Sequence, residues 1–145
     1  MDFGRLACTN GEQPYVVPIY FVYEPDRLYG FSTLGRKIEW MRANPRVCVE
    51  ADEVISFQSW SCVVANGHYE ELKNEERYAS ARRQAFELLK RRFLWWQGAF
   101  GAEQPRHPTR PAPPVLYRIQ VTDMTGRTAS VDEFDQALPQ QHFTA

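Results

Sequence analysis

The chain has 145 residues, of which 43% are hydrophobic, enough for one compact domain with a sizeable core and too few for two ordinary ones. Its 17 basic and 18 acidic residues leave a formal net charge of -1, which excludes an overall field that draws in nucleic acid or an anionic membrane. Any phosphate recognition therefore has to be local.

Three cysteines, Cys8, Cys48 and Cys62, stand far apart among mostly apolar neighbours and fit buried thiols in a reducing compartment better than a disulfide framework or a metal site. No apolar run reaches the length of a membrane span, and MDFGRLACTN has no basic region followed by a hydrophobic stretch and a cleavage site. A cytoplasmic location is expected.

In chain order, GRLACT, YVVPIYFVYE and RLYGFS read as three antiparallel strands separated by Asn10-Gly11 and Pro25-Asp26. Pro18 lacks an amide hydrogen and is expected at an edge, a bulge or an opening of the ladder, where a ligand can approach the backbone. Gly35 ends the strand pattern, and RKIEWMRANP then predicts a short helix with Ile38 and Met41 inward, stopped at Asn44-Pro45. RVCVEADEV resumes strand character with Val47 and Val49 opposite Cys48. WSCVVANGHYEEL follows as another strand, in which Gly67 marks a bulge or a close backbone approach.

From Asn74 to Phe93 the period becomes helical, with Tyr78, Ala81, Ala85, Leu88, Leu89 and Phe93 on one stripe. Asn74 is the expected cap, and Arg82, Arg83, Lys90, Arg91 and Arg92 form a solvated face rather than an RNA surface. EQPRHPTRPAPP, with five prolines in twelve residues, reads as an extended connection. VLYRIQVTDM is the closing strand. Residues 1–126 form the expected domain and residues 127–145 a polar tail.

The segment LYGFSTLGRKIEWMRANPRVCVE has the parts of a phosphate site: hydroxyls on Ser32 and Thr33, a tight turn at Gly35, and Arg36-Lys37 at the start of a helix whose first amides point outward. A solvated basic pair at an ordinary strand-turn-helix junction has the same appearance. His68, His107 and His142 have no ligand spacing, and no metal site is expected. Trp95-Trp96 offers a stacking surface for a flat ligand, with packing of the helix end as the structural alternative.

PYVVPIYFVYEPDRLYGFSTLGRKIEWMRANPRVCVEADE, followed by WSCVVANGHYEEL, resembles the pyridoxamine 5′-phosphate oxidase-like FMN-binding proteins, closest to the nitroimidazole-resistance and flavin-nucleotide-binding branch. VLYRIQVTDMTGR continues the likeness more loosely. The resemblance implies a mainly β fold with helices (α+β), a six-stranded antiparallel split β-barrel of FMN-binding type, assembled as a homodimer with FMN in the cleft between chains. It implies that Arg36 and Lys37 hold the phosphate with help from Ser32 and Thr33. It further implies that the backbone of Val17, Pro18, Ile19 and Tyr20 faces the flavin ring with Phe31 nearby, and that Ser61 and Cys62 approach from across the dimer.

Three departures shape the expectation. Cys62 stands where relatives often have serine or glutamine, the amino-terminal helix of many relatives is expected to be missing or reduced, and TGRTASVDEFDQ replaces the basic and aromatic carboxyl-terminal motif of true pyridoxamine phosphate oxidases. Vitamin B6 oxidation is therefore not expected. The resemblance implies an FMN-dependent oxidoreductase acting on a small molecule. The alternative is a non-catalytic flavin- or haem-binding carrier or sensor, for which His68 is the conceivable axial haem ligand. Hydride can pass directly to or from bound flavin, so no catalytic side chain is assigned.

Overall fold

The computed structural model describes residues 3–92 and 114–130. Strand β1 (Phe3–Thr9) points Leu6 and Cys8 into the core and pairs with β2 (Pro14–Tyr20) across the Asn10-Gly11 turn. Asn10 Oδ1 accepts from the amides of Glu12 at 3.1 Å and Gln13 at 2.9 Å, while Gly11 takes a φ of 104°, which glycine adopts at no steric cost. Strands β3 (Val22–Glu24) and β4 (Arg27–Ser32) form a second hairpin around Pro25-Asp26.

Helix α1 (Arg36–Ala43) then leads into a long hairpin of β5 (Arg46–Ser56) and β6 (Ser59–Glu71). A 3-10 turn (Glu76–Tyr78) precedes helix α2 (Ala79–Arg92), and β7 (Val115–Ala129) is the last strand among the described residues.

All pairings are antiparallel, in the order β2-β1-β5-β6-β7-β4-β3. Among the described residues the sheet has seven strands rather than six because YVVPIYFVYE is broken at Phe21. Its first part lies on one margin of the sheet and its second on the opposite margin. One residue advances the chain by only about 3.8 Å, so the two margins meet only if the sheet curls into a barrel. Phe21 is buried in that interior with Leu6, Ile19, Leu28 and Val49. Pro18 lies on the margin strand β2, where its missing amide costs no ladder bond on the outer side.

The helices follow their apolar faces. Ile38 and Met41 of α1 are fully buried against the barrel interior. Ala85 and Leu89 of α2, flanked by Tyr78, Ala81 and Leu88, cover Val22, Tyr29, Leu72 and Leu116 on the sheet's outer face. Asn74 does not cap this helix. The chain first tightens into the 3-10 turn, with Tyr78 N–H donating to the Glu75 carbonyl at 3.0 Å, and Glu75 occupies the cap position.

Arg82 also departs from the solvated face, since its guanidinium donates to the Leu72 carbonyl. Gly67 meets both expectations: the β6–β7 register shifts between Asn66 and Gly67, and a Cβ there would collide with the Gln120 carbonyl oxygen. Strand β7 runs past Gly126 to Ala129, because Gly126 pairs with Val63 and Ala129 with Trp60. Phe93, Trp95, Trp96, His107, His142 and the tail from 131 onward lie outside the described residues.

Candidate functional site

Where the two margins of the sheet come together, Pro18, Ile19 and Tyr20 of β2, Phe31 and Ser32 of β4, and Lys37 of α1 line one cleft of about 250 Å³, with Phe3 beside them. Six of the residues expected at a flavin site thus meet at one place. The sequence achieves this because β4 ends at Ser32 and the chain turns through Thr33 to Gly35. Helix α1 therefore starts directly over the gap. The Ile38 and Glu39 amides both donate to the Gly35 carbonyl, at 3.0 and 3.1 Å, while those of Arg36 and Lys37 belong to the open first turn.

Lys37 is half-buried, and burial pushes its ammonium pKa below the ordinary lysine value. The Cys8 thiol lies close enough to interact with it and is itself pushed upward by burial. Among the described residues no carboxylate forms an ion pair with Lys37 or with Arg36. Arg36 does not line the cleft. Its guanidinium carbon lies 5.5 Å from the centre of the Tyr15 ring and 6.0 Å from that of Trp40. Ser32 is buried and its hydroxyl donates to the Thr33 carbonyl at 2.8 Å, so its proton is already engaged within the chain. Thr33 is exposed outside the cleft lining, and Val17 packs against the core.

Ser61 and Cys62 stand apart from the Lys37 cleft within one chain. They line two other grooves on the far portion of β5, β6 and β7, one of about 670 Å³ with Glu50, Asp52 and Trp60, the other of about 400 Å³ with Phe21, Val49 and Met124. His68 is exposed towards the carboxyl end of β6, between Arg46 and Gln120, and lines none of these spaces. Among the described residues no cluster of His, Cys, Asp and Glu is suited to a metal ion, and no helix is long and apolar enough to cross a membrane.

Sequence reasoning missed three aromatic residues at this site. Phe3 contacts Tyr20 with ring centres 5.0 Å apart, and Tyr15 meets Trp40 edge-on at 5.5 Å. Trp40 was legible as the neighbour one helical turn after Arg36. Tyr15 carried no such signal, because only the folded register brings β2 against α1.

Residues 1–128 match the family profile described as pyridoxamine 5′-phosphate oxidase. An uncharacterized protein of Rhizobium meliloti (strain 1021) is 36% identical over 132 residues, covering 91% of this chain and 87% of its own. The crystal structure of a FAD-binding protein from Mesorhizobium loti superposes with a TM-score of 0.70 at 42% identity, covering 90% of this chain and 86% of that one. A protein assigned to 5-nitroimidazole antibiotic resistance in Bacteroides thetaiotaomicron superposes with a TM-score of 0.59 at 26% identity, covering 86% and 75%.

Proposed function

The chain belongs to the pyridoxamine 5′-phosphate oxidase family, and from that premise we propose that it binds FMN beside Lys37 and serves as a flavin-dependent oxidoreductase for a small molecule. The observation that carries this reading is the adjacent pair Arg36 and Lys37 at a helix start, unpaired with any described carboxylate and next to a cleft. A phosphate monoester concentrates two negative charges on one group, which matches two neighbouring cations. The relative from Mesorhizobium loti is named for FAD; the compact double charge of a terminal monoester favours FMN here.

The remaining donors fit the rest of the nucleotide. As a margin strand, β2 keeps backbone groups on its outer side that no neighbouring strand takes up, and these suit the heteroatoms along a flavin edge. Phe3, Phe31 and Tyr20 supply apolar walls. Bound FMN supplies hydride or electron transfer, and the chain's residues bind, orient and partly desolvate it.

A cleft of about 250 Å³ is smaller than the roughly 300 Å³ at which pockets for drug-sized ligands begin, so a second protomer is the natural source of the missing wall. In this reading Ser61 and Cys62 come from the partner of a homodimer. The three thiols are unbridged, which fits the cytoplasm.

Purified protein is expected to be yellow, and Arg36→Ala with Lys37→Ala to weaken FMN binding by about 3 kcal/mol or more. Unchanged affinity removes the site. Reduction by a nicotinamide donor, followed by reoxidation with a panel of acceptors, distinguishes an enzyme from a carrier. A Soret band without flavin absorption would replace this reading with haem binding.

A further inference from the structure

Among the described residues Arg36 meets aromatic faces rather than a carboxylate. Its guanidinium lies over Tyr15 and Trp40, whose rings meet each other at 64°. A carboxylate partner would occupy two of the guanidinium's in-plane donors and cancel its charge. A ring beneath the plane leaves both the donors and the charge available while restricting where the long side chain can go. The two rings come from two of the elements that line the cleft, Trp40 from α1 and Tyr15 from β2, three residues before Pro18. Both rings are partly buried and pack against the barrel core, so they are anchored.

We propose that Tyr15 and Trp40 are positioning residues that keep Arg36 poised and un-neutralised for the phosphate of the flavin nucleotide, and so set the preference for phosphorylated over unphosphorylated flavin. This rests on the FMN reading above. Lys37 lines the cleft and Arg36, its neighbour at the start of α1, stands outside that lining, so in this proposal Lys37 meets the phosphate from within the cleft and the clamped Arg36 from outside it.

The test compares FMN with riboflavin, which lacks the phosphate, on the full chain. Trp40→Leu is expected to weaken FMN binding about fivefold and leave riboflavin affinity unchanged. In an Arg36→Ala background the same substitution is expected to have no further effect. Arg36→Lys restores the charge without the planar guanidinium, and is expected to recover only part of the FMN preference. Equal weakening for both flavins, unchanged FMN affinity, or an undiminished loss in the Arg36→Ala background would each overturn the clamp.

Should Trp40→Leu fail to fold, Tyr15→Leu removes the closer of the two rings and is read in the same way. Failure of the underlying reading looks different: the unsubstituted protein would then show no preference for FMN over riboflavin, and loss of Arg36 and Lys37 would change neither affinity.

Discussion

Tyr117 is fully buried at the centre of the barrel, and its hydroxyl has no hydrogen-bond partner among the described residues. Burial drives its phenol pKa far upward, so the group stays neutral. The ring fits because the facing residue is Gly30, where a Cβ would stand 2.7 Å from the tyrosine Cζ and Oη. A buried hydroxyl without a partner costs about 1–3 kcal/mol. Tyr117→Phe, which keeps the ring, is therefore expected to raise the unfolding free energy by about 1 kcal/mol, seen as a higher urea midpoint at unchanged slope. A lower midpoint would show that the hydroxyl is bonded after all. At this scale residue type and position after a turn made Ser32 and Lys37 legible as neighbours at one cleft, while Arg36, expected beside them, stands outside its lining. The need for glycine opposite Tyr117 was not legible, because the β4–β7 register that joins them spans most of the chain.

Helix α1 is fastened at its other end by Arg42, whose Nε and Nη2 donate to Glu71 of β6 at 2.7 and 2.9 Å. The Tyr69 hydroxyl adds a third donor to Glu71 at 3.3 Å. The Arg42 guanidinium and, to a smaller degree, the Tyr69 hydroxyl hold the Glu71 carboxyl below its ordinary value of 4.5, against an opposing effect of burial. Because the folded state has the lower pKa, the unfolded chain takes up the proton first as the pH falls. The stabilisation is complete above the ordinary value and is lost below about 4.5. Arg42 is about half exposed, so solvent screening limits the effect: Glu71→Gln is expected to cost about 1 kcal/mol at pH 7. Denaturant melts from pH 7 to pH 3 should show the difference from the parent protein shrinking with acid; a constant difference would assign the effect to packing. The helices themselves were readable because Ile38 with Met41, and Ala85 with Leu89, fall at helical spacing. The interruption at Phe21 was not, since PYVVPIYFVYE contains strand formers on both sides of it and the break arises from closure of the sheet.

Across the whole molecule, the far end of the β5–β6 hairpin carries Ile55 and Phe57 at 77% and 86% exposure, beside exposed Val54. Such a cluster of apolar side chains on one tip is costly in water and suits burial against a second copy. Ile55→Glu with Phe57→Glu is expected to convert the proposed homodimer into monomer in sedimentation, and to lower FMN affinity along with it if the partner supplies the second wall of the cleft. A monomer that retains full affinity would place the whole flavin site within one chain. The class of fold was legible because its strands are local and well punctuated. Closure was less so, because the pairing that completes the barrel joins Arg27 to Gln120 and Ser32 to Val115. That same pairing dictates an order of events during synthesis. Both hairpins of the amino-terminal half can form as they leave the ribosome, but the Phe31–Ser32 wall has no neighbouring strand on β7's side until residues 115–120 have emerged. A nascent polypeptide halted before that point would carry both cations and the margin strand, yet have no finished cavity in which to retain a nucleotide.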